Sequence, residues 1–205
     1  MNKHELPTIA NLNLKIDLTR LQQETDKLAG KFVDVKTANP MLCDNHMNLV
    51  KSVYDNFEQI NLTEPRELLP YTASIKERLK RKEEHLYNVP TKDYTNSYFE
   101  EIIKQLKAPA SRIRITKLNA GKEIPFHVDY DVTYAVRCIC PIYSDNMVVN
   151  HFKRHGKIEK YVLEPGNAYF LNIGFPHAVK NNSDKSRIAL MFSLDGNDDL
   201  EAMLN

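Results

Sequence analysis

Ser111-Arg112-Ile113-Arg114-Ile115-Thr116-Lys117-Leu118 alternates polar and apolar side chains, and from here to residue 194 the chain keeps a period of two. Such alternation marks a strand with one face buried. Strand-like runs follow at about 124–129, 133–143, 146–153, 158–163, 167–172, 176–180 and 186–194. Turn signals separate most of them: Tyr143-Ser-Asp-Asn146, His155-Gly156, Glu164-Pro-Gly166 and Asn181-Asn-Ser-Asp184. Eight short, evenly spaced strands with no helical crossover predict a sandwich or jelly roll, not a parallel sheet.

Upstream the pattern is helical. Residues 8–16 end in alternation and suggest a short strand. Asp17 can cap a helix carrying Leu18, Leu21, Thr25 and Leu28 on one face, with Gly30 ending it. Asn39-Pro40 signals a turn, Leu49 to Phe57 has a moderate apolar pattern, and Pro65 and Pro70 break what lies between them. Tyr71 to Leu86 reads as a charged helix stopped by Pro90. Ser97 and Glu100 have capping-box spacing ahead of the stripe Phe99, Ile102, Ile103 and Leu106, and Pro109 closes that helix. The expected organisation of the 205 residues is one domain: a mainly helical layer over 1–110, an antiparallel double sheet over 111–195 and a tail over 196–205.

A net charge of +1 and a pI near 7.7 give no bulk attraction for nucleic acid or membrane. The basic run Lys76 to Lys82, followed by Glu83 and Glu84, reads as a solvated helix face. Three cysteines form no framework; Cys138 and Cys140 share a face of an apolar strand and suit core packing, because zinc would need a second pair. No apolar run reaches the 18 residues a membrane span needs, and the start lacks a signal-peptide core. The expectation is a soluble, cytoplasmic protein.

The candidate chemistry lies in Phe126-His127-Val128-Asp129. Residues i and i+2 of a strand share a face, so His127 and Asp129 present an imidazole and a carboxylate side by side. The pattern alone is weak: a chain with 7 His and 27 acidic residues holds roughly one His-x-(Asp/Glu) by chance. His177, on a later strand, would complete two histidines and one carboxylate on one face of a metal, leaving positions open, as suits non-haem Fe(II) oxygenases. A dicarboxylate co-substrate would also need a cation for its far carboxylate. Arg187, across the Asn181–Asp184 turn, can supply a bidentate fork, and Thr116 and Arg137 can add a hydroxyl and a second cation from two further strands.

These residues carry a resemblance. Arg114-Ile-Thr-Lys-Leu-Asn-Ala-Gly-Lys-Glu-Ile-Pro-Phe-His-Val-Asp-Tyr-Asp131 is similar to the metal-strand region of the aspartyl/asparaginyl β-hydroxylase-like branch of the Fe(II)/2-oxoglutarate dioxygenases, closest to bacterial free-proline hydroxylases. Arg137-Cys-Ile-Cys-Pro-Ile142, Val149-Asn-His-Phe, Glu164-Pro-Gly-Asn-Ala-Tyr-Phe-Leu-Asn172, Pro176-His-Ala-Val-Lys-Asn181 and Ser186-Arg-Ile-Ala-Leu190 resemble later elements in the family's order. The match covers about 110–195, with a looser one around Leu12–Leu28. It implies a double-stranded β-helix (jelly-roll, cupin-like) core behind N-terminal helices. It implies Fe(II) on His127, Asp129 and His177, and 2-oxoglutarate with its far carboxylate on Arg187 helped by Thr116. Arg137 would lie near the metal-chelating end of the co-substrate or the substrate carboxylate. The implied reaction consumes O2 and 2-oxoglutarate, hydroxylates an unactivated C–H of an amino-acid, aminoacyl or peptidyl substrate, and releases succinate and CO2.

Two departures bear on that reading. Ile139 stands where many relatives have a histidine two residues after the strand arginine, so carboxylate handling differs. Asp129 is present where the vertebrate enzymes lack the metal carboxylate; it favours hydroxylation over halogenation, since a halide would need that position. Tyr130, Asp131 and Phe175 flank the metal motifs and are candidate pocket walls. His151 and His155 occupy an apparent hairpin and read as non-ligands, and Asn172 as support for the turn before His177. The alternative class is a non-catalytic cupin-like protein that binds metal or metabolite. Nucleic-acid demethylation ranks lower, because no second arginine occurs between Ile188 and Leu200.

Overall fold

The computed structural model describes residues 2–39, 57–70 and 72–204. In chain order its elements are β1 (Ile9–Asn11), α1 (Leu18–Asp26), β2 (Val33–Asp34), α2 (Val35–Ala38), β3 (Phe57–Asn61), β4 (Thr63–Pro65), α3 (Ile75–Lys80), α4 (Glu83–Leu86), β5 (Tyr87–Pro90), α5 (Tyr98–Ile103) and β6 (Ala110–Leu118). The distal half holds β7 (Glu123–His127), β8 (Val136–Tyr143), β9 (Val148–Arg154), β10 (Lys157–Tyr161), β11 (Tyr169–Leu171), β12 (His177–Asn181), β13 (Arg187–Leu194) and α6 (Asp198–Leu204). Each strand expected from 111 onward is present. The expected helical layer is interleaved with five strands. Pro40, Leu49 to Asn56 and Tyr71 lie outside the described residues.

Two antiparallel sheets face each other. The larger runs β1-β11-β8-β13-β6-β3-β2 and the smaller β10-β9-β12-β7, with a separate β4-β5 pair. This is the expected jelly-roll arrangement with N-terminal helices on its outside. Strand alternation sorts the side chains of the larger sheet. Ile113, Ile115, Cys138, Cys140, Ile142, Leu190 and Phe192 turn outward and bury against Leu21, Phe99, Ile102 and Ile103 of α1 and α5. The opposite face carries Arg114, Thr116, Arg137, Ile139, Arg187 and Ala189 toward the smaller sheet. Register aligns Ala189 with Thr116 and Pro141, and Ser193 with Arg137. Polar residues on an inner face, where an apolar stripe would stabilise more, mark this space as built for a ligand. Burial pushes the Cys138 and Cys140 thiols up, the latter to about 12, so both stay protonated packing residues.

Local capping follows the sequence signals. Asp17 accepts the Arg20 amide at 3.0 Å and starts α1. Ser97 accepts the Glu100 amide at 3.3 Å, and the Glu100 carboxylate reaches back to the Asn96 amide at 2.8 Å instead of to Ser97. Between 71 and 86 the expected continuous helix is two short ones, α3 and α4, separated at Lys82, whose φ of 49° is left-handed. That break rotates the following turn. The basic run from Lys76 to Lys82 is solvated as expected, except that Arg78 is buried against Glu83 at 3.1 Å, and Glu84, just past the run, is fully buried. Among the described residues no helix is long and apolar enough to cross a membrane.

Candidate active site

The smaller sheet positions the candidate metal ligands. His127 ends β7, His177 begins β12, and the two residues are paired across the strands. β7 is an edge strand, which admits Pro125 two residues before the ligand. Asp129 lies just beyond, its amide donating to the Ile173 carbonyl at 3.2 Å. The His127 and His177 rings lie 4.2 Å apart, and their Nε2 atoms stand 3.7 and 3.9 Å from the Asp129 carboxylate oxygens. All three ligand atoms fall within 4.8 Å of one another. Each histidine directs Nδ1 to the carbonyl two residues back, Pro125 at 2.8 Å and Phe175 at 3.0 Å. Donation there fixes the tautomer that leaves Nε2 free to bind. Phe152 stacks on the inner face of His177 with an interplanar angle of 21°. Burial lowers the His177 pKa to about 4 against the opposing Asp129 carboxylate, so the ring is neutral at physiological pH, the form that ligates. Two imidazoles and a carboxylate around one small space fit a divalent first-row ion.

The pocket behind the ligands is walled by Phe57, Ile139, Phe152, Leu171 and Met191. Its polar groups are few: the metal ligands, Asn150, Arg137 and Arg187. Arg187 is buried, yet among the described residues it meets no carboxylate. Its Nη1 reaches only the Thr116 hydroxyl at 3.5 Å, and its Nε has no partner. Desolvation lowers its pKa to about 10, which still leaves it charged at neutral pH. The Asn181 amide, donating to the Leu118, Asn119 and Lys185 carbonyls at 2.7–3.2 Å, holds the turn that aims it. Thr116 lies on the neighbouring strand, its hydroxyl also donating to the Ala189 carbonyl at 3.2 Å.

Arg137 enters from the other side and is bound by a residue that sequence reasoning missed. Glu84 accepts from Arg137 Nη2 at 2.8 Å, from the Ser193 hydroxyl at 2.8 Å and from the Tyr130 hydroxyl at 3.0 Å. Arg112 and Arg114 stand behind at 3.4 and 3.9 Å. Burial would raise the Glu84 carboxyl, but Arg137, Arg112, Arg114 and Ser193 overcome it and hold the group well below the usual carboxylate range. Arg114 itself is lowered to about 9 by burial and by the two neighbouring guanidiniums.

The structure thus brings His127, Asp129, His177, Arg137 and Arg187 to one pocket, with Thr116 touching Arg187. It does not bring Tyr130, Asp131 or Phe175 to the pocket wall: Tyr130 binds Glu84, Asp131 accepts the Thr133 amide, and Phe175 is covered by Lys3 and Arg154. His151 meets the Phe126 ring on the outer face of the smaller sheet, away from the ligands. Asn172 supports the turn before His177, as its position suggested. Asn150 and Phe152 stood in the sequence only within Val149-Asn-His-Phe152, a stretch that resembles the family, with no role assigned to either.

The model of the aspartyl/asparaginyl β-hydroxylase family matches residues 56–195. No curated protein matches. Among solved structures, a Pseudomonas putida prolyl-4-hydroxylase is similar over 92% of this chain and 91% of its own, with 14% identity and a TM-score of 0.51, a likeness of fold. A 2OG-Fe(II) oxygenase family protein from Burkholderia pseudomallei matches over 84% of this chain and 76% of its own at 12% identity and a TM-score of 0.46. An oxalate oxidase in complex with glycolate matches at 12% identity and a TM-score of 0.34; this chain spans 42% of that protein's length, using 42% of its own.

Proposed function

We propose, from the premise that this chain belongs to the aspartyl/asparaginyl β-hydroxylase family, that it is an Fe(II)- and 2-oxoglutarate-dependent oxygenase acting on an amino acid or an aminoacyl or peptidyl residue. The observation that carries the reading is Arg187: a buried cation without a carboxylate partner among the described residues, in the same pocket as three convergent metal ligands. Burying an unpaired guanidinium is costly, and an incoming dicarboxylate supplies the missing counter-charge.

In this reading His127, Asp129 and His177 would hold iron, which with O2 and 2-oxoglutarate would supply the oxidising power to hydroxylate a substrate C–H, with succinate and CO2 as co-products. Arg187, helped by Thr116, holds the far carboxylate of the co-substrate. Arg137, which lines the same pocket, would meet its metal-chelating end or the substrate carboxylate. The apolar walls around Ile139, Phe152 and Met191 exclude water from the reacting centre and strengthen the electrostatics there. Placement of the chain nearest the free-proline hydroxylases, and in the cytoplasm, belongs to the same proposal. So does the treatment of the helical layer and the core as one domain.

The test is succinate release with Fe(II), 2-oxoglutarate and O2 across a panel of free L-amino acids that includes proline and of peptides and aminoacyl thioesters that contain them. Substrate-dependent succinate in the native protein, abolished in His127→Ala, is the expected result. Native protein that binds 2-oxoglutarate yet releases no succinate would favour the non-catalytic cupin-like alternative.

A further inference from the structure

Two of the three candidate metal ligands hang from one short turn. The Asp129 amide donates to the Ile173 carbonyl at 3.2 Å, and His177 Nδ1 meets the Phe175 carbonyl at 3.0 Å. The turn itself, residues 172–175, is closed by the Phe175 amide donating to the Asn172 carbonyl at 3.2 Å. A displacement of this turn therefore moves Asp129 and His177 relative to His127, which sits on a different strand.

What holds the turn comes from residues 3–8, at the other end of the chain. The Lys3 ammonium donates to the Gly174 carbonyl at 2.9 Å and lies 5.4 Å from the centre of the Phe175 ring. The buried Asn172 amide donates back to the Lys3 carbonyl at 2.9 Å and the Pro7 carbonyl at 3.3 Å, while the Asn172 backbone amide donates to the Thr8 carbonyl at 3.0 Å. Leu6, in the same segment, is buried in the core. Arg154 fastens the outside, donating to the His4 carbonyl at 3.0 Å and the Thr8 hydroxyl at 3.1 Å. The approach is close: a Cβ on Gly174 would stand 3.1 Å from the Lys3 side chain.

We propose that residues 3–8 form a strap that sets the spacing of the metal ligands, with Lys3 and Asn172 as its positioning residues. The inference rests on the metal reading of His127, Asp129 and His177. Neither positioning residue would touch the ion; each acts by holding the 172–175 turn, whose Ile173 and Phe175 carbonyls meet Asp129 and His177. Direct partners of metal ligands change metal affinity by about 10- to 100-fold when lost, and Lys3 and Asn172 hold the turn that carries those partners.

The experiment is an anaerobic titration of the full chain with Fe(II), and in parallel with Co(II) read by its visible spectrum, beside thermal unfolding without metal. Lys3→Met keeps the side-chain length and removes the ammonium; Lys3→Arg restores a donor; Asn172→Ala removes the second anchor. Tyr143→Phe, which deletes a hydroxyl contact with Asp26 on α1, is the remote control. The strap predicts about tenfold weaker metal binding in Lys3→Met and Asn172→Ala, an altered Co(II) spectrum, near-native binding in Lys3→Arg, and no change in the control. Native affinity and spectrum in a folded Lys3→Met would overturn it, as would weakening that follows the loss of Tm equally in the control. Native protein that binds neither metal would instead overturn the metal reading, and the strap with it.

Discussion

Arg187 and Thr116 carry the co-substrate half of the account. A hydrogen bond to a charged group contributes about 1.5–3 kcal/mol, and an Arg–carboxylate fork supplies two. Arg187→Gln is therefore expected to weaken 2-oxoglutarate binding by at least about tenfold, and as much as about 100-fold. Thr116→Val, which keeps the shape and removes one hydroxyl, should weaken it by tenfold or less. Anaerobic calorimetry with Fe(II) present measures both; unchanged affinity in Arg187→Gln would remove the far carboxylate from that residue. At this scale the sequence was informative wherever chemistry demanded a residue type at a fixed spacing. His127 and Asp129 two apart on a strand could be read directly, and His177 and Arg187 followed from order along the chain. Glu84 could not be read, because it sits in a charged run whose helical period points nowhere in particular until Lys82 breaks it.

At the scale of elements, the turn from Asn181 to Asp184 decides where Arg187 points. The Asn181 side chain is fully buried and donates to three carbonyls. Removing it leaves those acceptors unsatisfied, at about 1–3 kcal/mol. Asn181→Ala should lower stability by that amount and also weaken 2-oxoglutarate binding, whereas Ser97→Ala, which removes the cap of α5 far from the pocket, should cost about 1 kcal/mol and leave binding intact. Urea unfolding and the same calorimetry separate the two. Strands from β6 to β13 were legible from short runs set off by turn signals, although β8 buries residues on both faces and β7 has none fully buried. The turn's direction was not, because it depends on a single side chain bonding to carbonyls as far as 63 residues away. The split of residues 71–86 into α3 and α4 was hidden for a related reason: nothing in the local pattern marks Lys82 for a left-handed conformation.

On the scale of the whole molecule, the charges buried between the sheets tie the outer layer to the pocket. Glu84 comes from α4, Arg112 and Arg114 from β6, Arg137 from β8 and Ser193 from β13. Breaking a buried ion pair by removing one partner costs about 3–5 kcal/mol, so Glu84→Gln should destabilise by that order. Its pH dependence has a definite sign. The folded-state pKa of Glu84 lies below the unfolded value of about 4.3. Its contribution is fully present above that value and is lost as pH falls through the folded one. The gap between native protein and Glu84→Gln should therefore hold from pH 7 down to about pH 5 and shrink below about pH 4. A gap independent of pH in urea unfolding would mean that the carboxylate is not held ionised by the arginines.

The claim on which all of this rests is that the pocket binds iron and 2-oxoglutarate together. Anaerobic titration of metal-free protein with Fe(II) and 2-oxoglutarate, watching for the visible metal-to-ligand charge-transfer band, tests it most directly. The account predicts a saturable band in the native protein, absent in His127→Ala and shifted to higher 2-oxoglutarate concentration in Arg187→Gln. A folded native protein that gives no band would contradict it.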